Sequence, residues 1–297
     1  MASLRDIRNK IKSVKSTEQI TRAMKMVAAA RMRRSQSAIL SARPFAVKME
    51  GLIRDLVSVH LAQEEESVFG AGADGFFHAP PDGPAGLVLI TADKGLCGAF
   101  NTTLLRAAME WLAAHEGQKT YVAVVGRKGR DFLRRLRGAS LEVFVESVGI
   151  FPRAGFQHAE VLGEAVLRAY LDKGLSRVDV IYNEFKSAAQ QQLVRVPLLP
   201  LAELPSVEAG LSDLSYEPDQ ARLLQALLPR HIKAQLYRML LESQAAELSA
   251  RMNAMDSAAK NAAELREALN IQANRQRQAM ITKEIAELVS GAEALAA

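Results

Sequence analysis

The apolar positions at the start of the chain fall at helical spacing. Leu4, Ile7, Ile11 and Val14 recur at intervals of three, four and three, which is the seam of a coiled coil. Ile20, Met24 and Val27 continue a helical stripe, and Ile39, Phe45, Met49, Leu52 and Leu56 extend it. From Ser3 to about Val59 the breakers are Pro44 and Gly51, with Pro44 the expected place for a bend. At the other end, Asp219 to Val289 contains no Gly and only Pro229 interrupts it. Leu241, Ala245, Leu248, Met252, Met255, Ala259 and Ala262 alternate intervals of four and three there, and Leu269, Ala273 and Met280 keep the phase. Arg266 and Gln276 occupy the same phase without being apolar.

The stretch between these ends has a different period. Gln63 to Gly86 carries Gly70, Gly72, Gly75, Pro80, Pro81, Gly83 and Pro84 and reads as a loop. Short β-rich runs follow at Gly86–Thr91, Thr120–Val125, Leu141–Val145 and Val178–Tyr182, with a further candidate at Gln191–Leu199. Helical stretches near Thr103–Ala114, Gly129–Arg137 and His158–Lys173 separate them. This alternation predicts an inserted α/β, Rossmann-like domain with a largely parallel sheet. Pro197, Pro200 and Pro205 mark the way out of it, and Pro218 stands where the last helix can begin.

Two helices of about 55 and 70 residues would be roughly 80 and 100 Å long at 1.5 Å per residue. Neither can hide its stripe inside a compact domain. Pairing them solves the problem. The expected fold class is α/β plus long helices: an antiparallel coiled coil of the N- and C-terminal helices, left-handed because the repeat is seven residues, with the α/β domain inserted. The predicted layout is residues 1–60 first coiled-coil helix, 61–86 loop, 87–205 α/β globular domain and 206–297 last coiled-coil helix.

Composition agrees with a folded chain that has long helices. The 297 residues are 49% hydrophobic and 24% charged, with 5% aromatic. No apolar run is long enough for a membrane span, and the charged N-terminus lacks a signal-peptide core, so neither insertion nor export is expected. The formal charge is +5, yet residues 1–34 hold ten Lys or Arg against Asp6 and Glu18, a local +8. Such a surplus suits a solvated face, an acidic protein partner or a nucleic acid. The segment has no aromatic residue for base stacking, and part of its surface belongs to the seam.

Little in the chain looks catalytic. The phosphate-loop pattern is absent, and Gly126-Arg127-Lys128-Gly129 has the wrong spacing and no hydroxyl for magnesium. Gly95 and Gly98 lie after a strand and before a helix, where a structural turn is the expected reading. Cys97 stands alone, so neither a disulfide, a zinc site nor a dithiol switch is expected, and a buried or inert thiol is. His60, His78, His115, His158 and His231 are scattered, and Glu64, Glu65 and Glu66 read as a solvated loop. No cofactor and no metal are predicted.

Three stretches together resemble the gamma subunit of bacterial F-type, proton-translocating ATP synthases. They are Ile20–Gln36 (ITRAMKMVAAARMRRSQ), Thr91–Asn101 (TADKGLCGAFN) and Gln276–Gly291 (QRQAMITKEIAELVSG), in the expected order on first helix, strand turn and last helix. The resemblance spans essentially the whole chain. Lys94 stands where the family is expected to have Arg, Ala99 where it has Gly, and Lys25 where some members have an acid. There is no paired-cysteine insert of the chloroplast type, so thiol regulation is not implied.

The resemblance implies a non-catalytic rotor. Its terminal helices would turn inside a ring of three alpha and three beta subunits, while the α/β domain would sit on the epsilon subunit and the membrane ring of c subunits. The expected location is the cytoplasmic face of the bacterial inner membrane, peripherally bound. Residue by residue, Arg22, Met24 and Lys25 correspond to the part of the first helix that faces an acidic lever loop of beta. Arg277, Gln278, Thr282 and Glu284 correspond to polar coupling positions on the last helix. Leu288–Ala297 would be an axle tip in an apolar sleeve. Two alternatives from the residues alone are a stand-alone α/β enzyme and a basic coiled-coil nucleic-acid-binding protein.

Overall fold

A computed structural model describes residues 3–62, 74–136, 140–201 and 220–296. The elements run α1 (Leu4–Ala62), a 3-10 turn at Asp74–Phe76, β1 (Ala85–Ile90), α2 (Phe100–Ala114), β2 (Thr120–Val125), α3 (Arg127–Leu133), β3 (Leu141–Ser147), α4 (Phe156–Asp172), β4 (Arg177–Phe185), β5 (Gln191–Leu199) and α5 (Gln220–Ala296). Residues 63–73 of the expected first loop and residues 202–219 before the last helix lie outside the description. The chain divides into two compact units, one of residues 1–28 with 251–297 and the other of residues 29–250.

The larger unit holds the sheet, in order β3-β2-β1-β4-β5. Its first four strands pair in parallel, and β5 pairs with β4 in the opposite sense. All six residues of β1 and all six of β2 are buried, as expected for strands covered on both faces. One face is covered by α2, which buries Phe100, Leu104, Ala108 and Trp111 at intervals of four, four and three. The other face meets α4 through Leu162, Val166 and Tyr170, joined by Met49, Ile53 and Leu56 of α1 and Leu228, Ile232 and Leu236 of α5.

Three boundaries differ from the sequence pattern for local reasons. Helix α2 begins at Phe100, not Thr103, because that ring is 2% exposed and anchors the first turn. Helix α3 begins at Arg127 and ends at Leu133, earlier than the expected span on both sides. Gly126 precedes it at φ +90°, a backbone shape that L side chains rarely adopt. A Cβ there would stand 2.1 Å from the Thr91 carbonyl oxygen. Gly129 donates its N–H to Thr91 Oγ1 at 2.8 Å, so both glycines of the mock phosphate loop are packing glycines.

In the smaller unit, α1 starts with a reciprocal cap. The Asp6 N–H donates to Ser3 Oγ at 3.3 Å and the Ser3 N–H to Asp6 Oδ2 at 3.0 Å. The seam then departs from the expected stripe. Ile20 and Val27, assigned to it on hydrophobicity, are 57% and 51% exposed. The least exposed positions are instead Leu4, Ile7, Ile11, Val14, Glu18, Thr21, Lys25 and Ala28, an unbroken alternation of three and four. The phase was therefore right at Leu4–Val14, and it continues through polar residues. Helix α5 answers with Met255, Ala259, Ala262, Arg266, Leu269, Ala273 and Gln276. The two non-apolar members of that series, Arg266 and Gln276, are in the seam, whereas Met280, expected to keep the phase, is 45% exposed.

Contacts across the seam fix its direction. Lys25 meets Asp256 and Glu18 meets Arg266, so lower numbers on α1 face higher numbers on α5 and the pair is antiparallel.

Candidate functional site

The residues expected to couple the chain to a surrounding ring all lie in the smaller unit. Arg22, Met24 and Lys25 lie within one turn of α1. Met24 is half-buried and Met26 is 67% exposed, so Met26 is the thioether the surface presents. Arg22 Nη2 lies 2.8 Å from Glu18 Oε1 on its own helix. Lys25 Nζ donates to Asp256 Oδ1 at 2.6 Å, and Lys260 Nζ lies 3.2 Å from the other oxygen. The hydrogen bond from Lys25, seconded by that from Lys260, holds the Asp256 carboxyl below its usual range. Lys25 therefore reaches its first anion within its own chain.

The second group sits on α5. Arg277, Gln278, Thr282 and Glu284 are all exposed. Arg277 lines a shallow cleft with Arg8, Ile11, Asn270, Ala273 and Asn274. The Gln278 backbone carbonyl accepts the Thr282 hydroxyl at 3.0 Å, a bond within the helix. The pairing of Glu18 with Arg266 puts Arg22 level with Ala262, fifteen residues before Arg277 and about 22 Å from it along the axis. The two groups are thus separate stations along one helical pair, not one site. Sequence reasoning missed Glu18, Asp256 and Arg266, which organise the first station; the signal was the seven-residue phase, carried past the point where the residues stop being apolar.

In the larger unit a cleft of about 590 Å³ lies at the end of β4, lined by Glu184, Phe185, Phe156, Tyr237 and Arg238, whereas the space beyond β1 is filled. In an open α/β sheet ligands bind beyond the carboxyl ends of the strands. Here Asp93 fills that position. Its Oδ1 accepts the N–H of Arg127 at 3.0 Å and of Gly149 at 2.8 Å, and its Oδ2 accepts that of Phe151 at 3.2 Å. Cys97 is 1% exposed, and its sulfur accepts a hydrogen bond from Asn101 Nδ2 at 3.2 Å. Buried among these partners, the thiol has no approach for a substrate. Among the described residues no group of His, Cys, Asp and Glu could hold a metal ion, and no helix is long and apolar enough to cross a membrane.

An α/β domain inserted between two helices that pair again at the chain ends defines a class of protein built on an antiparallel helical pair. Residues 3–295 match the ATP synthase family. The chain is 45% identical to the ATP synthase gamma chain of Elusimicrobium minutum over 305 residues, covering 99% of each. It is 44% identical to that of an Anaeromyxobacter species over 298 residues, covering 99% of this chain and 100% of the other. Among solved structures, a central stalk/c-ring chain of Tetrahymena thermophila mitochondrial ATP synthase aligns with a TM-score of 0.58 at 27% identity, over 80% of this chain and 99% of that one. A chain of the Euglena gracilis mitochondrial enzyme shares the fold, with a TM-score of 0.67 at 19% identity, over 98% and 94%. The chain belongs to the ATP synthase gamma-chain family.

Proposed function

We infer that the chain is the central-stalk rotor subunit of an F-type ATP synthase, transmitting torque between a proton-driven membrane c-ring and a catalytic hexamer of three alpha and three beta subunits. The observation that carries the reading is the antiparallel pairing of residues 1–28 with 251–297, in a chain whose relatives match from end to end. A paired helix resists twist where a single one would not. In this reading residues 1–60 and 206–297 form the shaft, 61–86 a connection and 87–205 the globular domain that meets the epsilon subunit and the c-ring. The assembly lies on the cytoplasmic face of the bacterial inner membrane. Proton flow turns the shaft, and its uneven surface drives the three catalytic sites through different states in turn, so the chain itself performs no catalytic step.

Arg22, Met24 and Lys25 are assigned to an acidic loop of beta, and Arg277, Gln278, Thr282 and Glu284 to the upper part of the head. Co-purification tests the assignment: the chain should appear at one copy per hexamer of alpha and beta subunits. An isolated chain with turnover on a small substrate, or duplex binding that persists at physiological salt, would overturn it. The nucleic-acid reading receives no support from Arg22 and Lys25, which are engaged with Glu18 and Asp256.

A further inference from the structure

Three charged residues, Glu18, Lys25 and Arg266, interrupt the seam of the helical pair, and Glu18 and Arg266 face one another. Glu18 is 5% exposed, on α1. Arg266 Nε stands 3.0 Å from its Oε2, while Arg22 Nη2 takes its Oε1 at 2.8 Å. A buried carboxylate is tolerated only where its cation is present, and removal of one partner leaves an uncompensated charge. A polar residue at a single seam position is also the best-attested way for a coiled coil to select one register.

The alternatives open to this seam show what the pair discriminates. Opposed seam positions have numbers that add to 284, as Glu18 and Arg266 do, or to 283 in the alternate layers, as Val14 and Leu269 do. Displacement by one heptad sets Glu18 against Ala259 or Ala273 and Arg266 against Ile11 or Lys25. In the first case the carboxylate meets a methyl group, and in the second two cations meet. The apolar layers distinguish less sharply, since Ile7 and Val14 find Leu269 and Ala262 in one displaced frame, and Ile11 finds Met280 in the other. Lys25 adds a second tie, one heptad further on, through Asp256 at 2.6 Å.

The geometry points to Glu18 and Arg266 as the register key of the helical pair: positioning residues that stop one helix advancing past the other. The key itself follows from the seam; only its purpose under torque rests on the rotor reading.

Disulfide trapping on the full chain reads the register directly. In a background of Cys97→Ser with Lys25→Ala, which removes the second tie, Ile11→Cys with Ala273→Cys reports the native frame, and Ile11→Cys with Met280→Cys reports the frame displaced by one heptad. With Glu18 and Arg266 intact, only the first pair closes. Glu18→Leu with Arg266→Leu keeps the helices paired through apolar contact, and both cross-links then form. Glu18→Arg with Arg266→Glu restores the single native cross-link. The proposal is overturned if the Leu pair still closes only the 11/273 bridge, or if the swapped pair slips as freely as the Leu pair. A separate reading comes from the assembled enzyme: the Leu pair should lose several-fold in ATP-driven proton pumping while ATP hydrolysis continues. A chain that slips but pumps normally leaves the key standing and counts against the rotor reading.

Discussion

Asp179 shows how a single buried charge is made tolerable. It is 0% exposed, and its carboxylate accepts Trp111 Nε1 at 2.7 Å, Arg177 Nη2 at 2.8 Å and Arg195 Nη2 at 2.9 Å. Burial acts to raise its pKa, but the hydrogen bonds from Trp111, Arg195 and Arg177 outweigh burial and the result lies below the usual value. A depressed folded-state pKa contributes stability that is complete above the unfolded value of about 3.9 and is lost as pH falls through the folded one. Urea titrations of the wild-type chain should therefore show this contribution intact at neutral pH and fading only in strong acid. Asp179→Ala should cost about 3 kcal/mol at neutral pH and remove that part of the acid dependence; an unchanged acid limb would refute the account. Gly126→Ala combines a disallowed φ with a clash against backbone, and should destabilise by about 2 kcal/mol or more in the same assay.

The helices and strands were legible to different degrees. Strands β1 and β2 are continuous apolar runs, and burial on both faces is the only environment that suits them, so their positions and the parallel sheet could be read directly. The existence of α1 and α5 was equally plain from the 3,4 spacing at Leu4–Val14 and Leu241–Ala262. The middle of the α1 seam was not, because hydrophobicity and phase disagree there. Ile20 and Val27 are apolar and exposed, while Glu18 and Thr21 are polar and buried, with Glu18 paired to Arg266 on the other helix. No local signal on α1 announces a partner more than two hundred residues away. The same cause hid the role of Asp256 and the commitment of Lys25. Asp93 was also out of reach, since its three amide donors come from segments that only the sheet brings together. The seam assignment gives a direct contrast: Ile7→Ala should cost about 2–4 kcal/mol, and Ile20→Ala well under 1 kcal/mol, in matched thermal melts. Equal losses would return Ile20 to the seam.

The far end of α5 poses the remaining physical question. From Arg277 through Ala292 every described side chain is exposed, among them Ile281 at 48%, Ile285 at 56%, Leu288 at 73% and Val289 at 52%. A helix with no packed face draws little stability from propensity alone, so its amide hydrogens should exchange quickly in the isolated chain. The strands β1 and β2, buried on both sides, should exchange orders of magnitude more slowly, near the rate of global opening. If this stretch is the part of a shaft that turns inside a ring of alpha and beta subunits, assembly must cover it. Hydrogen exchange followed by mass spectrometry should then show protection of residues 277–292 rising on assembly, with β1 and β2 unchanged. Ile281, Ile285, Leu288 and Val289 recur at i, i+4, i+7 and i+8 and so share one face of the helix, the face that assembly should cover. No rise in protection on assembly would mean that this end is not enclosed, and the assignment of Arg277, Gln278, Thr282 and Glu284 as coupling residues would fall with it.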